Sequence, residues 1–121
     1  SDAAWPSAWL AHVLFSQTRY AEADRVYRDA IALTMGENAA LKIRQAEIRR
    51  EYGRVLTSQR RVAEAENELT RSLELLTSTY GTAFHPNIHE TKRGLMALYT
   101  AWNKPDLVER HRVPPGQYVT Y

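Results

Sequence analysis

Val13-Leu14-Phe15-Ser16-Gln17-Thr18-Arg19-Tyr20-Ala21-Glu22-Ala23 returns 42 residues later as Val55-Leu56-Thr57-Ser58-Gln59-Arg60-Arg61-Val62-Ala63-Glu64-Ala65, with eight of eleven positions identical. The match then decays but keeps its character: Tyr27 falls over Leu69, Ala30 over Ser72, Ile31 over Leu73 and Leu33 over Leu75. A weaker third copy starts 43 residues further on, at Leu98-Tyr99-Thr100-Ala101-Trp102-Asn103-Lys104. A period of this size signals stacked supersecondary units, each burying its apolar face against its neighbours.

Each unit reads as two helices. Apolar residues recur at helical spacing in five segments. These are Trp5, Trp9, Val13 and Leu14; then Tyr20, Ala23, Tyr27, Ala30 and Ile31; then Leu41, Ile48, Tyr52, Val55 and Leu56. Val62, Ala65, Leu69, Leu73 and Leu76 follow, then Ile88, Thr91, Leu95, Leu98, Tyr99 and Trp102. A short sixth helix is expected from Asp106, as N-cap, to about Arg112. The breaks at 17–19, 59–61 and 103–105 are short enough to join antiparallel helices. Gly36 and Gly81 are expected as left-handed residues closing the second helix of units one and two. Gly53 costs about 1 kcal/mol inside a helix, which points to a close helix approach. The fold class expected is therefore all-α, three stacked antiparallel helix pairs. The boundaries are about 4–38, 39–82 and 85–112, with a tail at 113–121 whose prolines prevent helix at its start.

Composition agrees with one folded domain of 121 residues, 44% hydrophobic and 25% charged, with a mean hydropathy of −0.52. No apolar run approaches the roughly 20 residues of a membrane span. The absence of cysteine excludes disulfides, thiolate catalysis and Cys-ligated zinc. The chain opens on Ser1, so a processed chain or a piece of a larger protein is expected. The net charge of +2 hides an uneven distribution. Residues 41–61 carry seven basic and two acidic side chains, between acidic segments on either side.

The repeat resembles the tetratricopeptide repeat in its longer form of about 42 residues, as in kinesin light chains. The residues carrying the likeness are Ala11 and Gly53, Tyr20 and Val62, Ala23 and Ala65, Tyr27 and Leu69, and Ala30 and Ser72. Tyr80-Gly81-Thr82-Ala83-Phe84-His85-Pro86 resembles that family's inter-repeat signature, with one residue inserted. Thr18, Arg60 and Asn103 stand where the family usually has a turn glycine, and Pro105 and Val108 depart from the third repeat's usual Tyr and Ala. The close of the chain, Trp102 to Arg112, is similar to the ends of repeat arrays at the C-termini of some bacterial multidomain proteins, including serine/threonine kinases.

The resemblance implies a superhelix that binds a protein or peptide along a groove lined by the first helix of each pair. By position those residues are Trp5, Ala8, His12 and Phe15, then Glu47, Arg50, Arg54 and Thr57, then Glu90, Arg93, Ala97 and Thr100. The partner-binding candidates are His12, Phe15, Glu47, Arg50, Arg54 and Arg93, with an acidic segment as the ligand. The competing reading makes Lys42, Arg44, Arg49, Arg50, Arg54, Arg60 and Arg61 a solvated face paired with Glu47, Glu51 and the acidic helix that follows. A structural role is the alternative to peptide binding, with oligomerisation through the terminal helices or a regulatory region of a kinase.

Catalysis, cofactor and metal are not expected. No Gly-x-Ser-x-Gly elbow or phosphate-cradling loop is present. Glu64, Glu66 and Glu68 read as a solvated face. His85 and His89 are four apart, but read as a helix start with Pro86 at its first position rather than as metal ligands. Aromatics do not interleave with the basic segment, so nucleic acid is an unlikely partner. Trp9 and Trp102 are expected in the core, with Trp5 capping the first helix or meeting a neighbour. A cytoplasmic location is expected.

Overall fold

The structure, a computed structural model, describes residues 4–113, with side chains from residue 9 onward. It is all-helical, with six helices and no strand among the described residues. In chain order they are α1 (Ala4–Ser16), α2 (Tyr20–Ala32), α3 (Ala39–Ser58), α4 (Val62–Tyr80), α5 (Pro86–Ala101) and α6 (Pro105–Arg110). The expectations for Trp5, Ala8 and the tail beyond residue 113 lie outside the described side chains and residues.

Three turns share one construction. Thr18, Arg60 and Asn103 have φ of 60°, 62° and 60°. In each turn the next residue's N–H bonds back to a carbonyl five residues earlier. Arg19 reaches Leu14 at 2.9 Å, Arg61 reaches Leu56 at 3.0 Å, and Lys104 reaches Tyr99 at 2.8 Å. A left-handed conformation costs an L-residue about 1–2 kcal/mol, so the surrounding packing must hold each turn. Arg19 and Arg61 then lie within 2.5 and 2.7 Å of Glu22 and Glu64, each an (i, i+3) pair over the new helix's first turn.

The other helix ends are capped differently. Asn38 Oδ1 accepts from the N–H of Ala40 at 2.7 Å and of Leu41 at 3.3 Å, opening α3. Gly81, at φ 69°, ends α4 in the left-handed region. Gly36 does not do the same for α2. That helix stops at Ala32, and Leu33 is a right-handed C-cap. Thr34 terminates it instead, buried with its hydroxyl donating to the Ile31 carbonyl at 2.7 Å. Asp106 is not the N-cap of α6 either. Lys104 holds that place, Pro105 is the first helical residue, and Asp106 sits in the first turn.

α3 is the central element, packing against α1, α2, α4 and α5. The main core runs through Ala11, Tyr27, Ala30, Ile48, Tyr52, Leu56, Ala65, Leu69, Leu95, Leu98 and Tyr99. A second cluster of Ala46, Leu76 and Ile88 joins α3, α4 and α5 near the loop before α5. Alanines at 11, 23, 30, 46 and 65 are all buried, and let helix axes approach. Trp9 is not in the core: it is 69% exposed and stacks on His12, while Leu14 of the same stripe is buried. Trp102 is half-buried, with the Lys104 ammonium 5.2 Å from its ring centre.

Gly53 marks a close approach of α3 and α4. A Cβ at this position would lie 2.5 Å from Leu69 Cγ and 2.9 Å from its Cδ2. Gly53→Ala is therefore expected to destabilise the protein by about 1–3 kcal/mol through overpacking, although alanine favours helix by about 1 kcal/mol. Urea unfolding followed by circular dichroism measures this; a stability equal to or above wild type would show that α3 and α4 can separate at no cost.

A candidate partner-binding face on α1, α3 and α5

α3 touches both α1 and α5, and this brings the first helices' polar residues onto a common face. At the α1 edge, His12 Nδ1 lies 3.3 Å from Glu51 Oε1, and its ring stacks on Trp9 with centroids 5.9 Å apart. At the α5 edge, Arg50 donates to the Asn87 carbonyl at 3.0 Å, to Asn87 Oδ1, and to Thr91 Oγ1 at 3.4 Å. Asn87 Nδ2 in turn donates to Glu47 Oε2 at 3.1 Å and to the Tyr80 hydroxyl at 3.4 Å. One turn further along, Arg54 pairs with Glu90 at 3.1 Å, and Arg93 donates to the same carboxylate from the other side.

Of the six candidate residues, His12, Glu47, Arg50, Arg54 and Arg93 thus lie on this face, and Arg54 and Arg93 converge on one carboxylate. Phe15 takes another direction. It is half-buried against the core, with its ring 5.6 Å from Tyr20 at the start of α2. Thr57 is half-buried, while Ala97 and Thr100 are exposed.

The electrostatics are close to balanced. Arg50, Arg54 and Arg93 share the face with Glu47, Glu51 and Glu90. Burial, then the neighbouring Arg54, lowers the pKa of the Arg50 guanidinium, against the pull of Glu47, Glu90 and Glu51. Burial alone would raise the Glu90 carboxyl, but its bonds to Arg54 and Arg93 win and hold it below the ordinary range. The other basic residues of 41–61 point elsewhere. Arg49 is buried, bonded to Glu68 at 2.7 Å and Gln45 at 2.8 Å. Arg61 reaches Asp24 at 2.7 Å, and Lys42 lies 3.5 Å from Glu37. The segment is one run in sequence but serves several surfaces in space.

A depression of about 590 Å³ opens on the α3–α5 side, lined by Glu47, Tyr80, His85, Pro86, Asn87, Glu90 and Arg93. Its wall includes the Tyr80 and His85 rings, stacked at 3.7 Å. His85 is the N-cap of α5, its Nδ1 accepting from the Asn87 N–H at 3.0 Å. His89, one turn on, is buried. The pair is a helix start, and no metal-binding group of three His, Cys, Asp or Glu occurs among the described residues. Asn87 is the residue that sequence reasoning missed. Its only signal is its place directly after His85-Pro86, which fixes it in the first turn of α5.

The two arginines that bridge α3 to α5 should differ in weight. Arg50→Ala is expected to cost about 1–3 kcal/mol, because half-buried Asn87 and buried Thr91 lose a charged partner. Arg54→Ala is expected to cost at most about 1 kcal/mol, since both Arg54 and Glu90 are nearly half exposed. Equal losses in urea unfolding would contradict this ranking.

His89 supplies a pH dependence. Burial, followed by Lys92 and Arg93, lowers its pKa below 6.5. Below pH 6.5 the unfolded chain takes up a proton that the folded chain resists, so stability falls as the pH drops. The loss through this group is expected to develop as the pH falls from 7.5 to 5.5, through the ordinary histidine range. His89→Gln should flatten that slope, and an unchanged slope would show that His89 titrates alike in both states.

No helix of the described residues is long and apolar enough to cross a membrane. No family model, curated protein or solved structure matches the chain.

Proposed function

We propose that the chain is a tetratricopeptide-like array of three helix pairs forming a short superhelix. Its function is protein–protein interaction through the α1–α3–α5 face, with no catalysis, cofactor or metal of its own, in a cytoplasmic setting. The observation that carries this reading is the convergence of His12, Glu47, Arg50, Arg54 and Arg93 from three separate helices. The side chains of His12, Arg54 and Arg93 remain about half exposed, and Glu47 and Arg93 line an open depression. The recurrence of one turn at Thr18, Arg60 and Asn103 supports the array.

The ligand fitting this face best is an acidic peptide segment. Arg54 and Arg93 both hold Glu90, and an incoming carboxylate replaces one charged partner with another. Each guanidinium keeps a planar donor fork for it. Glu47, Glu51 and Glu90 offset much of the positive field, so binding is modest in affinity and weakened by salt. A structural role within a larger array is the second reading, favoured by exposed Trp9 and Leu10 on α1.

Fluorescence anisotropy against labelled acidic, neutral and basic peptides of equal length tests the groove. The acidic set should bind best, more weakly as salt rises. The Arg54→Glu/Arg93→Glu variant, folded by circular dichroism, should lose about tenfold or more in affinity, as expected for charge-assisted bonds. Preference for basic peptides, or unchanged binding by the folded variant, would remove the acidic-ligand reading.

A further inference from the structure

The turns at Thr18, Arg60 and Asn103 put the helices in one register, so residues of α1 and α2 have counterparts 42 and then a further 43 positions on. On the side of α3 that meets α1 and α2, Tyr52 is 2% exposed. Its ring lies 4.9 Å from that of Tyr27, and its hydroxyl donates to Asp24 at 3.0 Å. Arg61, heading α4, bonds that same carboxylate at 2.7 and 2.9 Å while also pairing with Glu64. One register step later, Leu95 is the counterpart of Tyr52. It is 1% exposed, in the cluster that holds Leu69, the counterpart of Tyr27. There Tyr99 donates to Glu66, the counterpart of Asp24, at 2.7 Å. Twice, then, a carboxylate and the large apolar residue three positions after it receive the next hairpin.

On α1 the same register position is Leu10, and it is 49% exposed; Trp9 on the same helix and Tyr20 at the start of α2 are exposed as well. Arg19 stands in the register of Arg61. It pairs with Glu22 as Arg61 pairs with Glu64, and its side chain is 52% exposed. We propose that this face of α1 and α2 docks a partner helix hairpin whose second helix carries a carboxylate followed three residues later by a large apolar side chain. The apolar group covers Leu10 as Tyr27 covers Tyr52, and the carboxylate bonds Arg19 as Asp24 bonds Arg61.

The chain's own far end is a poor occupant. There the register places Glu109 and Arg112, which bond to each other at 2.9 Å on the surface of the protein. A second copy stacked head to tail would set a guanidinium on Leu10 where the register calls for an apolar group. The inference rests on the array reading and the helix register, and is independent of what the α1–α3–α5 face binds, so each can fail without the other.

The test adds residues 4–38 ahead of the full chain as a tethered probe hairpin, since they carry Asp24 and Tyr27 in the required spacing. The fused protein should gain helix by circular dichroism and unfold in one transition. Its midpoint should rise by about 3 °C or more, the shift that one extra docked unit gives a chain of this size. Leu10→Asp should move the midpoint of the unfused chain by less than about 2 °C, as an exposed substitution does. In the fused protein it should abolish the gain. Arg19→Ala and the added copy's Asp24→Ala should be non-additive there. An added hairpin that stays unfolded, a midpoint equal to that of the unfused chain, or equal effects of Leu10→Asp in both proteins would overturn the docking face. Additive effects at Arg19 and the added Asp24 would overturn its charge pairing. An unfused chain that sediments as a dimer and becomes monomeric on Leu10→Asp would replace the partner hairpin with a second copy.

Discussion

Leu69 sets the spacing of half the protein. It projects from α4 into a gap that exists because two neighbouring helices carry glycine at the point of contact. Gly53 of α3 lies so near that a Cβ there would meet Leu69 Cγ at 2.5 Å, and a Cβ on Gly94 of α5 would meet its Cδ2 at 3.0 Å. One fully buried leucine therefore touches two backbones, and α3, α4 and α5 are held at distances that no larger residue allows. The same closeness lets short polar groups bond across helices. Ser72 donates to the Ala46 carbonyl at 2.6 Å and lies 3.3 Å from Thr91 Oγ1, so α3, α4 and α5 are also joined by a buried hydrogen-bonded chain. It is this fixed α3–α5 spacing that lets Arg50 reach Asn87 and Arg54 reach Glu90.

The helices were legible in the sequence wherever a local signal and the apolar period agreed. The recurrence of Ser-Gln-x-Arg at 16–19 and 58–61 locates two turns to the residue, because the same left-handed position and the same backbone bond recur in both. The non-glycine residues at those positions hide the turn from a search for Gly, and the tolerance comes from packing that local reading cannot weigh. Gly36 shows the opposite error. A glycine after an apolar run suggests a C-cap, but Thr34 ends α2 first by folding its hydroxyl back onto Ile31. Asp106 was displaced for a similar reason, since Pro105 already fits the first helical position and moves the cap two places earlier, to Lys104.

The face was legible as a set of positions, but its bonding was not. Period alone places His12, Glu47, Arg50, Arg54 and Arg93 on first helices, and four of their five pairings cross between helices. Which partner each cation takes depends on distances of an ångström between elements far apart in sequence. Asn87 owes its role to α5 starting beside α3, which no spacing in the chain declares. Trp9 illustrates the limit from the apolar side. Its stripe is right for Leu14, which is buried, but Trp9 one turn earlier stays 69% exposed, because helical period does not say how far along α1 the packing extends.

Charge balance on the shared face also bears on how a ligand could be selected. A groove with three arginines and no carboxylates would attract acidic chains broadly and hold them with little discrimination. Here each carboxylate belongs to the same few ångströms as an arginine, so on the proposed reading a ligand would have to offer its acidic groups at the spacing of Arg54 and Arg93 to displace Glu90. One that presents charge elsewhere meets Glu47 or Glu51 and is repelled. The desolvated Arg50, already bonded to Asn87 and Thr91, contributes rigidity to the α3–α5 junction more than it contributes attraction. Selectivity then comes from the acidic residues as much as from the basic ones, because like-charge contact with a misplaced ligand costs more than a correctly placed pair gains on an exposed surface.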